Sequence, residues 1–376
     1  MTAGRAWDPD AGAVVVEAVG AAVTRGRTMD PGETDDAYAL LAKGELIVHA
    51  RALQAAAELG LGDLLADGPR TAGALAEAAG CEPGALRRLL GLLAGDGVVA
   101  RAGGDRFALT RAGGPLRSNH PASVRSVLAM DGAVAPLVIG ATGHTLATGE
   151  PAFPQVMGRD FYDHLDARPE QGEVFDGAME DLTRVVAPGL LAVSGLSGTE
   201  RIVDVGGGNG TLLAEILWAH PGAEGLLLET PRVAEAARIR LREQGLSGRC
   251  RAVPGDFFDH VPEEGDIYLL KWVLHNWPDE DALRILRSCR RAMAPGARLL
   301  VIESVVPDGD GPHPSRAMDL AMLVLSGGRE RTRDEYAALF GRAGLRLESF
   351  READARYGVL EAVPEQVTGP RPTTPG

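Results

Sequence analysis

Apolar residues recur at helical spacing through the first third of the chain. Alanine, leucine and valine follow a period of about 3.6 residues, which is interrupted at Gly60 and Gly68. A shorter amphipathic segment begins at Thr71, whose hydroxyl can cap a helix, and another follows it. The stretch VVARAGGDRFALT then places two short apolar runs on either side of Gly103–Gly104, as a hairpin does. Helices followed by a two-stranded wing predict a winged-helix domain over 38–116.

The pattern changes near residue 200. From 117 to 195 the chain is again helical in period, with large side chains that fit either a core or an apolar pocket. Beyond it, short apolar runs alternate with amphipathic segments, which is typical of a doubly wound, mostly parallel sheet. The last two strand-like runs, RLESF and YGVLEAV, are too close for a crossover and must pair antiparallel. We therefore predict the α/β class, with a Rossmann-like domain over 196–362.

Neither end of the chain shows such a period. Residues 1–37 mix Gly, Asp, Pro and Thr and predict a flexible arm, and residues 363–376 predict a disordered tail. The sequence has no signal-peptide pattern and no apolar run of membrane-spanning length. Its three cysteines are in no CxxC arrangement, which indicates a reducing compartment and neither a disulfide framework nor a zinc site. We expect a cytoplasmic protein that binds no membrane.

Charge narrows the possible partners. A net charge of −14 disfavours general binding to nucleic acid or anionic lipid, which reward positive surfaces. A winged helix often reads DNA, but the segment from Leu46 to Arg111 balances seven arginines against seven acidic residues. Its candidate recognition helix, LRRLLGLLAG, carries leucines where a groove-reading helix needs polar side chains. These helices instead predict a homodimer contact, and a DNA-binding regulator is the non-enzymatic alternative.

A glycine-rich turn follows the first strand of the predicted sheet. The stretch DVGGGNGT sets Asp204, Gly206, Gly208 and Gly210 at alternate positions, and Thr211 stands where a dinucleotide-binding turn has its last glycine. Ligands of open α/β sheets bind at the carboxyl ends of the strands, where this turn lies. Such a turn can also be purely structural, so its neighbours decide the interpretation.

Three later residues fit an adenosyl group. Glu229 ends the second strand and is placed to bind ribose hydroxyls. In PGDFF, after the third strand, Asp256 can accept from an adenine amino group while Phe257 packs on the ring. An anionic pyrophosphate would favour nearby arginine or lysine, whereas this turn carries Asp204 and Glu215. The acidic surroundings favour a cationic sulfonium.

A histidine lies on the same side of the sheet. A strand ends at Lys271–Trp272, and His275, Asn276 and Trp277 precede a helix that starts near Asp279. Asp279 fits a helix cap and Trp277 a hydrophobic staple. Neither role explains a histidine at the carboxyl end of a strand.

With DVGGGNGT before it and GGRERT after it, the stretch LLKWVLHNWPDEDALRILRSCRRAMAPGARLLVIESVVP resembles the S-adenosylmethionine-dependent small-molecule O-methyltransferases. That family includes plant caffeate and flavonoid enzymes and bacterial antibiotic-pathway enzymes. The resemblance runs from about residue 40 to 362. It implies a class I methyltransferase domain, an intertwined homodimer formed by the winged-helix domain, and S-adenosyl-L-methionine converted to S-adenosyl-L-homocysteine. It also implies methyl transfer to a hydroxyl of an aromatic secondary metabolite, the small-molecule acceptor.

The resemblance assigns roles to residues at matching positions. His275 is the expected base, and Glu303 and Glu330 are the carboxylates that flank it. The cofactor site takes Lys271 as well as the glycine turn, and Trp277 walls its adenine side. The predicted acceptor site comprises Met130, Phe161, Phe175, Met179, Asn276 and Met322. The family usually has Asp in place of Asn276, so this chain lacks one carboxylate beside the base.

The chemistry agrees with these roles. A phenol titrates at about pH 10 and is a weak nucleophile at neutral pH, whereas a neutral imidazole with a pKa of about 6.5 can take its proton. No metal is needed, and the eight histidines form no HxxxH or HxE cluster. Methylation at carbon or nitrogen, and conversion of such an enzyme to hydroxylation or decarboxylation, remain open alternatives.

Overall fold

The computed structural model describes residues 31–263 and 265–365. Contacts divide the chain into two units, one up to Ala50 and the other from Arg51 onward. Helix α1, Pro31–Glu58, begins in the first unit, and proline suits the first turn of a helix because its φ is fixed. Residues 31–37, which the sequence assigned to the arm, are therefore helical. The remainder of the predicted arm lies outside the described residues.

Helix α1 carries large apolar side chains that are exposed in the first unit. They are Tyr38, Leu40, Leu41, Leu46, Ile47 and Val48. Contiguous exposed apolar surface of this kind is typical of a protein–protein contact.

The second unit begins with the winged-helix arrangement. Its elements after α1 are α2 (Leu61–Leu64), β1 (Arg70–Thr71), α3 (Ala72–Ala79), α4 (Pro83–Gly95), β2 (Val99–Arg101) and β3 (Arg106–Leu109). The Thr71 hydroxyl accepts a hydrogen bond from the Ala74 amide, as a helix cap does. Gly103 and Gly104 both have positive φ at the hairpin tip. Strand β1 pairs with β3 and was not predicted, because two residues carry no readable period.

The leucine-rich helix α4 supplies the core of this region. Leu86, Leu90 and Leu93 are buried in one cluster with Leu75 and Phe107. Their burial explains why this helix lacks the polar face of a DNA reader, since its apolar face packs inside the domain.

Short and long helices follow. They are a 3₁₀ turn (Gly114–Leu116), α5 (Arg125–Ala133), α6 (Ala135–Gly140), α7 (Thr142–Thr148), α8 (Ala152–Met157), α9 (Phe161–Ala167) and α10 (Pro169–Val193). Aromatic rings join α8, α9 and α10: Phe161 contacts Phe153 and Phe175 edge to face, with centroids 5.1 and 5.4 Å apart. Helix α10 thereby brings its predicted acceptor residues next to α9.

A seven-stranded sheet dominates the rest of the chain. Its strands are β4 (Arg201–Val205), β5 (Glu224–Glu229), β6 (Cys250–Pro254), β7 (Ile267–Lys271), β8 (Arg298–Glu303), β11 (Leu345–Glu352) and β12 (Gly358–Pro364). Their order across the sheet is β11-β12-β8-β7-β4-β5-β6. Strands β4 to β8 are parallel, and β12 runs antiparallel to both β8 and β11, as the short connection predicted. Strand β12 also includes residues 363 and 364, which the sequence assigned to the tail.

Helices cover both faces of this sheet. They are α11 (Thr211–Ala219), α12 (Pro231–Glu243), α13 (Asp279–Ala292) and α15 (Arg333–Arg342). Helix α14 (Pro314–Ser326) packs on α6 and α8 instead, and a small parallel pair, β9 (Val305–Val306) and β10 (Arg331–Thr332), lies beside it. Along β4, Val203 belongs to one buried layer and Ile202 to the other, because alternate side chains of a strand point to opposite faces.

The strand order also locates a crevice. The chain leaves β4 toward β5 on one side and later returns beside β4 with β7 on the other. The carboxyl ends of these strands meet at this switch point, which is where ligands of open α/β sheets bind. Among the described residues, no helix has both the length and the apolar character needed to cross a lipid bilayer.

Candidate active site

The glycine turn is strained for any other residue type. Gly206, Gly208 and Gly210 have φ of 69°, 61° and 81°, a left-handed conformation that residues with a Cβ rarely adopt. A Cβ on Gly207 would lie 2.3 Å from a carboxylate oxygen of Asp204. The glycines therefore let the turn fold tightly from the end of β4 into α11 and expose its backbone at a helix N-terminus.

Asp204, which is buried, and Lys271, which is half-buried, influence each other's charge at the end of the sheet. Asp204 is 1 % exposed, and neither of its carboxylate oxygens has a hydrogen-bond partner among the described residues. Burial raises the pKa of Asp204 to about 7, and Lys271 opposes that rise. Burial lowers the pKa of Lys271 to about 8, against the charges of Asp204 and Glu303. Buried polar atoms without partners suit a ligand that brings hydrogen-bond donors.

Glu229 lies at the end of β5 and holds the glycine turn. One carboxylate oxygen accepts from the Gly208 amide at 3.2 Å, and the other accepts from the Thr230 amide at 2.7 Å. Burial is the largest influence on this carboxyl and raises its pKa, while the two amides lower it. The structure therefore places Glu229 beside the turn, at the edge where the sequence predicted a ribose contact.

An aromatic wall closes the crevice near β6. Trp277 meets Phe257 at 6.3 Å and Phe258 at 4.9 Å between ring centroids, both nearly perpendicular. Asp256 accepts a hydrogen bond from the Phe258 amide, which fixes the start of this loop. Tyr162 from α9 stacks on Trp277 at 6.0 Å with planes only 14° apart. Phe257 and Trp277, the two aromatic residues predicted for the adenine side, are thus brought together.

The segment that carries His275 is anchored by one carboxylate. Strand β7 ends at Lys271, Trp272 adopts a positive φ of 54°, and a 3₁₀ turn spans Leu274–Asn276. Glu303 ends β8, and its Oε1 accepts the amides of Val273, Leu274 and His275 at 3.1, 2.9 and 3.3 Å. Neighbouring parallel strands therefore deliver the base segment and its anchor to the same point.

Both predicted carboxylates reach the imidazole of His275. Nδ1 lies 2.9 Å from Oε1 of Glu330 and 3.6 Å from Oε2 of Glu303, and both glutamate side chains are fully buried. Burial lowers the pKa of His275, and the charge of Glu303 counteracts it. Burial raises the pKa of Glu303 to about 7 and that of Glu330 to about 8. Burial therefore favours the neutral imidazole, whose Nδ1 contacts Glu330.

The amide of Asn276 turns back to the backbone. Its Nδ2 donates to the carbonyl oxygen of Trp272 at 2.9 Å. An ionised aspartate has no donor for that carbonyl. Asn276 therefore stabilises the strained backbone of Trp272 without adding a charge beside His275.

The remaining acceptor predictions lie on several elements. Phe161 and Phe175 touch each other, and Met179 packs against one buried layer of the sheet. Met130 lies half-buried on α5, and Met322 lies half-buried on α14. Their contacts with an acceptor stay predictions.

The sequence did not single out three groups at this site. Tyr162 appeared only among scattered aromatic residues, and Phe258 was overshadowed by its neighbour Phe257. Arg331 follows Glu330 in GGRERT and is 1 % exposed, a burial that sequence alone does not reveal. The signal available for Arg331 was its place in a motif already chosen for Glu330.

Comparison with known proteins identifies the family. An O-methyltransferase domain matches residues 142–346, and an O-methyltransferase dimerisation domain matches residues 45–116. The chain belongs to the O-methyltransferase family. The predicted enzyme class and the predicted cofactor, S-adenosyl-L-methionine, are thereby confirmed. The boundaries predicted at 37, 116, 195 and 362 stay predictions.

Individual relatives cover most of the chain. The mitomycin biosynthesis 6-O-methyltransferase of Streptomyces lavendulae is 43 % identical, over 80 % of this chain and 86 % of its own. The aclacinomycin 10-hydroxylase RdmB of Streptomyces purpurascens is 40 % identical, over 87 % of this chain and 88 % of its own. The crystal structure of LaPhzM superposes with a TM-score of 0.83 and 37 % identity, over 87 % of this chain and 99 % of that chain.

Proposed function

We propose that this O-methyltransferase transfers a methyl group to a phenolic hydroxyl of an aromatic small molecule, with His275 as general base. The contact of His275 Nδ1 with Glu330 carries the proposal, because the ionised form of Glu330 accepts a hydrogen bond from Nδ1 and leaves the other nitrogen, Nε2, to take the acceptor's proton. Glu303 holds the backbone of the same segment. The acceptor class rests on the similarity to the mitomycin biosynthesis 6-O-methyltransferase and on the aromatic pair Phe161 and Phe175.

S-adenosyl-L-methionine supplies an electrophilic methyl group on a cationic sulfur. On this chain, Glu229 would bind the ribose, Asp256 the adenine amino group, and Phe257 with Trp277 the adenine ring. Gly206 and Gly208 keep the turn open to the ligand. Asp204 would offer the ligand's cationic end two carboxylate oxygens that no other described residue binds. Lys271 balances the charge of Asp204 below them.

The rate enhancement is assigned to two effects. Removal of the phenolic proton by His275 is worth roughly 10²- to 10⁴-fold, typical of general base catalysis. Holding the acceptor oxygen in line with the methyl group can contribute more. The apolar residues Phe161, Phe175, Met130, Met179 and Met322 are proposed to hold the acceptor, with Asn276 beside the reacting hydroxyl.

Assembly and location complete the proposal. The match to a dimerisation domain and the exposed apolar side chains of α1 support a homodimer through the N-terminal region. Light scattering should give a dimer mass at micromolar concentration, and a monomer mass would contradict it. We place the enzyme in the cytoplasm, with no nucleic-acid or membrane partner.

The test compares wild-type enzyme with His275→Ala on a panel of hydroxynaphthoic acids and hydroxyquinones. The variant should bind S-adenosylhomocysteine normally in calorimetry yet lose most methyl transfer per folded molecule. Residual activity should rise as the pH approaches the pKa of the acceptor, since the phenolate needs no base. Turnover near wild type at neutral pH would remove His275 from the mechanism.

Hydroxylation is the second candidate, because one 40 %-identical relative is a hydroxylase. Mass spectrometry of the product separates the two reactions, since one adds a methylene equivalent and the other adds an oxygen atom. Methylation at nitrogen or carbon would appear in the product's NMR spectrum as a methyl group without an ether shift.

The base cluster could also hold a metal ion. Ligand atoms of His275, Glu303 and Glu330 all lie within 4.8 Å of one another. In the proposed mechanism Glu330 binds His275 Nδ1 and no metal takes part, so dialysis against EDTA should leave turnover unchanged. Loss of activity that zinc or manganese restores would favour a metal enzyme instead.

A further inference from the structure

Arg331 has the largest fully buried side chain among the residues that the structure describes. It directly follows Glu330 and lies in the two-residue strand β10. A buried guanidinium is tolerated only where its donors are satisfied. The partners of Arg331 therefore indicate what its burial is for.

Five hydrogen bonds match the five N–H donors of this guanidinium. Nε and Nη2 both donate to Oδ1 of Asp279, at 3.0 and 2.8 Å. Nη2 also donates to the carbonyl oxygen of Trp277 at 2.9 Å. Nη1 donates to the carbonyl oxygens of Leu274 at 3.1 Å and of Arg329 at 3.4 Å. The guanidinium thus binds backbone carbonyls on both sides of His275, at Leu274 and at Trp277.

The loop before Arg331 lies against the same segment. The Arg329 amide donates to the carbonyl oxygen of His275 at 2.9 Å. A Cβ on Gly328 would lie 2.1 Å from that oxygen, so only glycine fits there. The Glu330 amide in turn donates to Asp319 of α14 at 2.9 Å. The backbones that carry His275 and Glu330 are therefore fixed against each other, with Arg331 between them.

We propose that Arg331 is a positioning residue for methyl transfer, which holds the 274–277 segment so that His275 Nδ1 stays on Glu330 and Nε2 faces the acceptor. This rests on the proposed role of His275 as the base. Arg331 is enclosed by protein and acts only through the groups it binds. A flat guanidinium fork is required, because an ammonium has only three donors and cannot bind three carbonyls and a carboxylate with five hydrogen bonds.

The test variant is Arg331→Lys, which keeps the charge and removes the fork. Its matched control is Arg342→Lys, because Arg342 binds Glu280 in the same first turn of α13 but contacts nothing at the base. We expect kcat of Arg331→Lys to fall about 10- to 100-fold, as a misplacement of the order of 1 Å can do. The fall in kcat should exceed any change in KM or in affinity for S-adenosylhomocysteine, which Arg331 reaches only through the backbone of Trp277, and the control should match wild type.

Nitrogen NMR of histidine-labelled protein gives a readout that needs no acceptor. In wild type above pH 8, where Glu330 is ionised, the His275 signals should show a neutral ring with the proton on Nδ1, and His275→Ala identifies those signals. In Arg331→Lys they should shift toward a mixture of tautomers. Asp279→Asn weakens the contact of Arg331 with the half-exposed carboxylate of Asp279, and it should show a smaller change in the same direction.

The outcomes separate the two proposals. Unchanged kcat and unchanged His275 signals in Arg331→Lys would overturn the positioning role. Loss of melting temperature with wild-type His275 signals would also overturn it, because the role would then be stability alone. If Arg331→Lys is too unstable to purify, the Asp279→Asn signals decide. If His275→Ala keeps its turnover, the proposed base is wrong, while the tautomer measurement still reports whether Arg331 sets the ring.

Discussion

At the glycine turn the carboxylate oxygens of Asp204 are buried with no hydrogen-bond partner among the described residues, whereas at the base one oxygen of Glu303 accepts three amides. The first region is incomplete until a ligand brings donors to it. At the base the protein itself engages Oε1 of Glu303 and Oε1 of Glu330, although Oε2 of each also lacks a hydrogen-bond partner among the described residues. Variants at the turn should therefore change cofactor affinity, and variants at the base should change the rate of the chemical step.

The largest effect after the loss of His275 is expected from the carboxylates that orient it. Glu330→Gln should lower kcat about 10- to 100-fold, because the base remains but its tautomer is no longer fixed. Glu303→Gln should cost a similar factor and also lower the melting temperature, since the amide keeps only part of the anchoring role. Steady-state kinetics on both singles and the double variant check this. Strictly additive losses would show that the two do not act through one histidine.

A change in cofactor affinity is expected at the glycine turn. Glu229→Ala should weaken binding of S-adenosylhomocysteine by about 1.5–3 kcal/mol, typical of a lost charged hydrogen bond. Calorimetry measures it, with Glu224→Ala at the opposite, exposed end of the same strand β5 as control. Equal affinities for the two variants would show that Glu229 does not bind the ribose. A fall in kcat at saturating cofactor would contradict the expectation that variants at the glycine turn change affinity and not the chemical step.

A smaller effect should follow the return of a carboxylate beside the base. Asn276→Asp replaces the donor to Trp272 with an anion, which raises the pKa of His275. The acidic limb of the kcat profile should therefore move to higher pH, with a modest change at its plateau. A profile measured from pH 5 to 9 on wild type and variant is the check. A limb that stays in place would mean that residue 276 does not sense the imidazole.

The smallest effect concerns stability in the absence of ligands. Burial raises the pKa of Glu330 to about 8 and of Glu303 to about 7, so the folded protein holds protons that the unfolded chain releases above about pH 4.5. Stability from these groups is present below that pH and is lost as the pH rises toward 8. Glu330→Gln, which cannot ionise, should show a flatter fall of melting temperature than wild type or the exposed control Glu348→Gln. An equally steep fall would place the responsible group elsewhere, with Asp204 next in line.

The cofactor side could be predicted from short stretches because its groups lie directly after strands. Asp204, Gly206 and Glu229 each follow from a strand end and a local pattern. The base side depends on tertiary contacts: Glu303 and Glu330 lie 28 and 55 residues from His275 in sequence, and only the family resemblance connected them. The mostly parallel sheet and its antiparallel last pair were predicted from the alternating pattern, whereas β1, β9 and β10 are too short to carry one.

Arg331 and Tyr162 show why the rest was out of reach. The role of Arg331 depends on carbonyl oxygens of residues more than fifty positions away, and carbonyls have no sequence signature. Tyr162 meets Trp277 through the packing of α9 over the crevice. No local period encodes either contact, because both arise from how distant elements pack.

The three amides gathered on Glu303 have a consequence for hydrogen exchange. Val273 and Leu274 are buried, and the amides of residues 273–275 can exchange with solvent only when the end of β8 separates from the segment after β7. Turn amides usually exchange within seconds, but these should be protected about as long as those of the central strands. The catalytic turn should therefore open only in events that also open the sheet.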